Sequence, residues 1–264
     1  MLVWLVFPVL GAIAGVLAGL LGVGGGLVLV AALAWLLPTM GVPADAAMHA
    51  ALASSLASIV LTAFASARAH ARRGSVLWPT VRAMVPGLLI GGVLGTWVAV
   101  RIEGDVLRWI VAGYCLIAAA QLLLSRSHDA AHDVSAPRGL PITAAGLGIG
   151  AVSAVVGIGG GSMTVPLLVW RGVAPVRAVG TSSACGVAIG LASALGYAVN
   201  APAGALPAHA LGYIYLPAAV GVAIASVFAA PYGTRLAHRL RGDTLKRVFA
   251  AFLVSVAIAL ALGD

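Results

Sequence analysis

Long apolar runs alternate with short polar stretches along this chain. Most of the runs reach the roughly 20 residues that a helix needs to cross a bilayer. Hydrophobic residues make up 62% of the sequence and charged residues only 8%, whereas a typical soluble domain is about 25% charged. The pattern therefore predicts an all-α polytopic membrane protein. The runs cover residues 2–21, 27–37, 46–67, 79–100, 106–124, 140–156, 162–170, 175–199, 208–230 and 244–262.

The pattern occurs twice. Gly11 corresponds to Gly146, and the run Gly22–Gly26 corresponds to Gly157–Gly161 at the same spacing. A duplicated hydropathy pattern, with Gly-interrupted segments at matching positions, is typical of secondary transporters and of their binding sites. The longest polar stretch separates the two copies. We predict a first transmembrane repeat over 1–124, a cytoplasmic linker over 125–139 and a second transmembrane repeat over 140–264.

Each repeat contains a glycine-rich break, Gly22-Val23-Gly24-Gly25-Gly26 in the first and Gly157-Ile158-Gly159-Gly160-Gly161 in the second. Each glycine costs about 1 kcal/mol relative to alanine in a helix, so a helix is predicted to end at each break and a new one to begin. The runs that follow, 27–37 and 162–170, span only about half of a roughly 30 Å membrane core. Each repeat is thus predicted to hold one Gly-broken helix pair, re-entrant or half-length, plus three full spans.

A helix that begins inside a membrane presents free backbone N–H groups and the positive end of its dipole. Such a start binds anions readily. We therefore predict an anion site near the middle of the bilayer, built from both breaks. A role as hinges alone is the alternative. The predicted backbone ligands are Gly24, Gly25, Gly26, Gly159, Gly160 and Gly161.

Glycines also recur every fourth residue within single runs. This spacing lets membrane helices approach one another closely. It predicts tight helix packing at Gly11, Gly15 and Gly19, and at Gly87, Gly91 and Gly95.

The basic residues predict the orientation in the membrane. If both ends of each broken segment lie on one face, then all 15 Lys and Arg residues except Arg101 and Arg108 fall on that face. Cytoplasmic loops carry such an excess of basic residues. An odd number of elements per half also makes the repeats inverted. We therefore predict a multi-pass protein of the cell (inner) membrane with both termini outside the cytoplasm.

Several motifs resemble the TauE/SafE family of sulfite-exporter-like permeases. They are the two glycine breaks, Val165-Pro166-Leu167-Leu168 after the second break, and Ala178-Val179-Gly180-Thr181-Ser182-Ser183. The resemblance covers nearly the whole chain and implies transport of small sulfur-containing anions such as sulfite, sulfoacetate or related organosulfonates. The first half departs from the second, because Val30-Ala31-Ala32-Leu33 and His49-Ala50-Ala51 replace the corresponding motifs. Side-chain contacts with the substrate are therefore expected mainly from the second half.

Hydroxyl side chains cluster near the second break. Those at a helix start either cap the helix or donate to oxygens of a ligand, and those within membrane helices often bond back to their own helix. Both alternatives remain open at this stage. The predicted substrate-binding side chains are Ser162, Thr164, Thr181, Ser182 and Ser183.

Two further residues are candidates for roles in transport. His49 lies well within an apolar run, where a polar residue is a functional candidate. It is predicted as a proton-coupling group, with a structural bond to a backbone carbonyl as the alternative. Arg177 precedes the Thr181–Ser183 cluster and is the candidate for steering substrate.

The remaining composition excludes several classes of protein. Every Asp and Glu falls in a predicted loop or at a terminus, whereas cation transporters usually place carboxylates within the bundle. No clustered ligands predict a metal site, no cofactor is expected, and no basic stripe with aromatics indicates nucleic acid. The expected partners are a small anionic substrate and the lipid bilayer, with the chain a monomer or a homodimer. We predict a secondary transporter with alternating access, with export favoured. The alternatives are proton-coupled uptake, or a non-transporting membrane enzyme or assembly subunit.

Overall fold

A computed structural model describes residues 6–21, 25–124, 136–207, 209–237 and 242–262. These residues form ten helices and one short β-hairpin. Gly24 and most of the predicted linker, 125–135, lie outside the described residues. The predicted first repeat contains α1 (Val6–Leu21), α2 (Gly26–Thr39), α3 (Ala44–Ala71), α4 (Trp78–Ala99) and α5 (Gly104–Leu124). The second contains α6 (Leu140–Val156), α7 (Gly161–Trp170), α8 (Pro175–Val199), β1 (Ala210–Leu211), β2 (Ile214–Tyr215), α9 (Leu216–Ala237) and α10 (Gly242–Leu262).

The structure is that of an all-α polytopic membrane protein. In the part of the chain that the structure describes, α3, α4, α8 and residues 216–233 of α9 are long and apolar enough to cross a membrane. Many large apolar side chains on the outer surface are exposed, among them Val93, Leu94 and Trp97 on α4. Such side chains face the lipid tails, which take the place that water has around a soluble protein.

The glycine breaks end and restart helices as predicted. Gly25 and Gly160 immediately precede α2 and α7, with φ of 63° and 72°. Gly157 closes α6 with φ of 76°. Glycine adopts this left-handed conformation without the steric cost that a Cβ atom brings. The sharp turns at Gly25 and Gly160 therefore set where the two short helices, α2 and α7, begin.

Helices α3 and α8 form the centre of the bundle. They run antiparallel. Ser66 of α3 lies against Ser183 of α8, and a methyl group built on Gly190, later in α8, would contact Leu56 and Val60, which come earlier in α3. Both helices are largely buried. Their small residues permit the close approach that apolar side chains alone would prevent.

Two further helix pairs flank this centre. Methyl groups built on Gly11 and Gly15 of α1 would lie 2.4 Å and 2.5 Å from the carbonyl oxygens of Val222 and Ser226 on α9. Glycines of α4 approach α6 in the same way. The predicted packing role is thus observed at Gly11, Gly15, Gly87, Gly91 and Gly95.

One predicted span begins later than expected. The apolar run that starts at residue 208 does not continue directly into a helix, because residues 210–215 form β1 and β2 before α9 begins at Leu216. Ala210 pairs with Tyr215 and Leu211 with Ile214. Gly212, with φ of 58°, occupies the first central position of the turn, where a type II′ hairpin requires glycine.

Candidate functional site

The two glycine breaks meet inside the bundle. A methyl group built on Gly26 would lie 2.6 Å from the carbonyl oxygen of Gly157 and 3.1 Å from Cα of Ile158. The Ser55 hydroxyl lies within hydrogen-bond distance of the carbonyl oxygens of Gly26, at 3.3 Å, and Gly157, at 3.0 Å. The start of α2 therefore touches the turn that precedes α7, although the two belong to different halves of the chain.

Both short helices begin without a side-chain cap. In α2 the Leu29 N–H donates to the carbonyl of Gly25, and in α7 the N–H groups of Met163 and Thr164 donate to that of Gly160. The amides before these donors have no acceptor within their own helix, and the helix dipole makes this end positive. Neither Gly25 nor Gly160 supplies a side chain to neutralise it. Each start is therefore suited to a negatively charged ligand.

A cavity lies beside the second break. About 10 Å³ of it can hold the centre of a water-sized sphere, which is room for about one water molecule. Of the predicted ligands, Gly159, Ser182 and Ser183 line it. Its walls carry hydroxyls, backbone and small apolar groups, and none of its lining residues is charged. The complete lining is Ala18, Ile59, Ala63, Ser66, Gly159, Ser182, Ser183 and Gly186.

Ser66 is a cavity residue that the sequence interpretation missed. Its Oγ lies 3.0 Å from Oγ of Ser183, so one hydroxyl from each half of the chain meets here. The Ser183 hydroxyl donates to the carbonyl of Val179. Ser66 therefore donates to Ser183, and its proton can turn instead to an oxygen of a ligand. The available sequence signal was the recurrence of Ser58, Thr62 and Ser66 every fourth residue, on one face of α3.

The other predicted hydroxyls do not line this cavity. The Thr181 hydroxyl accepts from the Leu77 N–H at 3.0 Å and donates to the carbonyl of Arg177 at 2.7 Å. Thr181 therefore fixes the turn that precedes α4. The Ser162 hydroxyl is hydrogen-bonded to that of Tyr114 on α5. The Thr164 hydroxyl is fully buried and, within the described ranges, has no hydrogen-bond partner.

The predicted glycine ligands have different positions. Gly25, Gly26, Gly160 and Gly161 form the starts of α2 and α7 and are not part of the cavity lining. Of the five predicted glycines that the structure describes, Gly159 is the one that lines the cavity.

His49 joins two helices at the opposite end of α3 from Ser66. Its Nε2 lies 3.2 Å from the carbonyl oxygen of Ala99 and 3.0 Å from that of Ile102. Since both partners are acceptors, Nε2 carries the proton. The ring also stacks on Tyr213, with centroids 4.9 Å apart. These contacts match the structural alternative for His49, and proton coupling at this residue stays a prediction.

Basic residues collect at the end of the α3–α8 pair nearest to the cavity. Arg177 lies in the first turn of α8, about two turns before Ser183. Arg68 and Arg72 lie at the end of α3, which is the same end because the helices are antiparallel. The carboxylates of Asp45 and Asp105 belong to the opposite end, at the starts of α3 and α5. The charge distribution therefore favours the approach of anions from the arginine-rich end.

The described residues contain no group of three or more His, Cys, Asp or Glu side chains arranged to hold a metal ion. Cys115 and Cys185 are buried and unpaired by disulfide. Both behave as small apolar side chains within the bundle.

Comparison with known proteins gives one family and several relatives. The family model described as sulfite exporter TauE/SafE matches residues 7–260. A probable membrane transporter protein of Haemophilus influenzae is 37% identical over 251 residues, which is 94% of each chain. A probable membrane transporter protein of Xylella fastidiosa is 29% identical over 256 residues, 94% of this chain and 91% of the relative. Both the family and these relatives are named as transporters and not as enzymes. No solved structure matches the chain.

Proposed function

This chain belongs to the sulfite exporter TauE/SafE family of membrane transporters, and on that premise we propose that it carries small sulfur-containing anions, such as sulfite, sulfoacetate or related organosulfonates. The observation that carries this proposal is the cavity between the two halves, lined by Gly159, Ser66, Ser182 and Ser183. It offers hydroxyl groups and the second glycine break to a ligand, and no acidic side chain that would repel an anion.

Neutral donors suit a transporter better than a fixed charge. A site must bind its ion firmly enough to admit it and weakly enough to release it. Hydroxyls and helix starts meet both needs, because their partial charges attract an anion without forming a buried ion pair. In this mechanism the Ser66 hydroxyl turns from Ser183 and donates to a substrate oxygen, and the uncapped start of α7 stabilises the negative charge.

An inverted repeat supplies the two alternating states. The equivalent helices α3 and α8 run antiparallel, as Ser66–Ser183 contact shows at one end and Gly190 at the other. The first helix of each repeat also packs on the fourth helix of the other, α1 on α9 and α6 on α4. A two-fold axis in the membrane plane relates repeats in this way. Movement of one half against the other then exposes the cavity to each face in turn.

Export is the favoured direction. The outward movement of one negative charge across an inside-negative potential releases about 2.3 kcal/mol of free energy per 100 mV, so export needs no coupled ion. The arginine-rich end, with Arg68, Arg72 and Arg177, then faces the cytoplasm and attracts the anion there. This orientation corresponds to a protein of the cell (inner) membrane with both termini outside.

Flux into proteoliposomes tests the proposal. Purified protein should carry radiolabelled sulfite down its gradient, and an excess of unlabelled sulfoacetate should compete. Ala63→Leu fills part of the cavity, since Ala63 is buried in its wall, and should reduce flux at least tenfold. Phe64→Leu changes the neighbouring side chain, which is 55% exposed, and is the matched control. Equal flux in both variants, or no flux of any sulfur-containing anion through the native protein, would refute the proposal.

A further inference from the structure

The connection between α8 and α9 differs from its counterpart in the first repeat. In the first repeat, residues 72–77 form a short turn between α3 and α4. In the second, the chain runs from residue 200 to residue 215 and forms the β1–β2 hairpin before α9 begins. The two halves therefore have the same order of helices and differ at this connection.

The hairpin is inserted into the bundle and does not lie on its surface. Tyr213, Ile214 and Tyr215 are only 5–7% exposed, whereas Leu211 in β1 is 56% exposed. The Tyr215 N–H donates to Oγ of Ser54 on α3 at 2.9 Å. The Tyr213 ring stacks on His49 of α3. One arm of the hairpin thus forms a buried wedge against α3.

The same wedge contacts α8. The Tyr213 N–H lies 3.5 Å from the carbonyl oxygen of Tyr197, and the two rings meet edge to face with centroids 6.4 Å apart. Tyr197 is itself fully buried and donates its hydroxyl proton to the carbonyl of Ala154 on α6. The hairpin therefore fills the space between the start of α3 and the end of α8, where it packs against the buried, hydrogen-bonded Tyr197.

The cavity lies further along the same helix pair. On α3 the hairpin contacts His49 and Ser54, and the cavity wall begins at Ile59 and continues to Ser66. On α8 the hairpin contacts Tyr197, whereas the nearest cavity residue is Gly186. At about 1.5 Å per residue the hairpin lies roughly 7–16 Å from the cavity along the helices. It therefore stands between the cavity and the face opposite the arginine-rich end.

We propose that the β1–β2 hairpin is the outer gate of the transport pathway, which must leave the space between α3 and α8 before the cavity opens to the outside. The inference rests on the alternating access described under the proposed function. The Tyr215 N–H bond to Ser54, the Tyr213 N–H bond to the carbonyl of Tyr197 and two aromatic contacts of Tyr213 hold the wedge. A hinge at Gly212, whose left-handed backbone only glycine adopts without strain, allows the arm to swing as a unit.

Accessibility of one cavity thiol tests the gate without reference to a substrate. With Cys115 and Cys185 replaced by alanine, Ala63→Cys places a single thiol in the cavity wall. Right-side-out vesicles are treated with a small, anionic, membrane-impermeant methanethiosulfonate reagent, and the rate of modification is measured. Adding Tyr213→Ala removes the ring from His49 and Tyr197, and should raise this rate at least tenfold.

Two variants control for side-chain loss as such. Tyr213→Phe keeps the ring, and it changes no charge because burial, with the nearby Asp45 carboxylate, raises the pKa of the Tyr213 hydroxyl. Its rate should stay near the native one. Tyr232→Ala removes an aromatic ring on α9 that is 65% exposed and should also leave the rate unchanged. Equal rates for Tyr213→Ala and Tyr232→Ala would overturn the gate.

A lock provides the opposite perturbation if Tyr213→Ala fails to fold. Ser54→Cys with Tyr215→Cys joins the hairpin to α3 under oxidation, and each single variant is the control. The disulfide should abolish both outward flux of radiolabelled sulfite and labelling of residue 63 from outside, and reduction should restore both. Undiminished labelling of the locked protein would overturn the gate. If the native protein carries no sulfite, but labelling of residue 63 stops on oxidation and returns on reduction, the result would support the gate and reject the proposed substrate.

Discussion

Replacing Ser66 with alanine removes one hydroxyl from the cavity wall and adds no side-chain atom that could block the cavity. In the protein without substrate, the Ser66 hydroxyl donates to Ser183 at 3.0 Å. A bound anion must offer more than this neutral bond. A hydrogen bond to a charged group contributes about 1.5–3 kcal/mol, and a neutral one about 0.5–1.5 kcal/mol. The net loss expected from Ser66→Ala is therefore about 1–2 kcal/mol, or roughly five- to thirtyfold in Kd.

The fold should tolerate this change. Ser183 keeps its own bond to the carbonyl of Val179, so the substitution leaves no buried donor without an acceptor. Binding can then be measured in detergent from the rise of the melting temperature with sulfite concentration, since a ligand at free concentration c stabilises the folded state by RT ln(1 + c/Kd). We expect Ser66→Ala to need roughly five- to thirtyfold more sulfite for the same stabilisation.

Ser58→Ala is the matched control. Ser58 lies two turns earlier on α3, is equally buried and donates to the carbonyl of Ser55 at 2.7 Å, but it does not line the cavity. Its loss should lower stability slightly and leave the Kd for sulfite unchanged. Unchanged affinity in Ser66→Ala, or an equal loss in both variants, would refute the assignment of Ser66 as a ligand.

Three further predictions concern the breaks, His49 and the topology. Gly160→Ala places a Cβ at a φ of 72° and 2.4 Å from Cδ1 of Ile189, at a cost of about 2–4 kcal/mol. It should lower both the melting temperature and the sulfite flux. Gly113→Ala, with open space around the added Cβ, should lower neither. His49→Ala removes one N–H bond shared by two carbonyl oxygens and a ring stack, and it should destabilise the fold by about 1–3 kcal/mol, while the pH profile of sulfite flux keeps its shape. A flattened profile in folded protein would favour proton coupling. An enzyme reporter active only outside the cytoplasm should work when fused at the C-terminus and fail when inserted after Arg72; the reverse pattern would reject the inverted topology.

The helices and their breaks could be predicted from the sequence because local chemistry decides them. Apolar runs of membrane length have few alternatives to a helix, and a run of three glycines costs enough in helix stability to end one. The starts of α2 and α7 lie within one residue of the predicted positions. Gly25 and Gly160 precede them at matching places in the two repeats, with nearly equal φ values.

Individual side-chain roles depended on contacts between distant segments. The sequence favoured the second half as the source of hydroxyls, yet Ser66 of the first half completes the pair with Ser183. Thr181 seemed equivalent to its neighbours, but its position on α8 directs it to the Leu77 N–H. A helix turns each successive residue by about 100°, so adjacent hydroxyls face different neighbours, and only the packing of α3 on α8 selects among them.

The hairpin shows the same division between local and tertiary causes. Residues 208–230 form a continuous apolar run, and hydropathy alone extends the helix through all of it. Ser54 and His49, more than 150 residues away in sequence, provide the bond to Tyr215 and the ring beside Tyr213 that hold the β1–β2 hairpin against α3. The sequence by itself determined a helical membrane protein with two Gly-broken helix pairs, because long apolar runs satisfy their backbone hydrogen bonds within a helix and three glycines interrupt it. Which hydroxyls face the cavity and what covers its outer end were decided by the tertiary structure, because both depend on which helices come into contact.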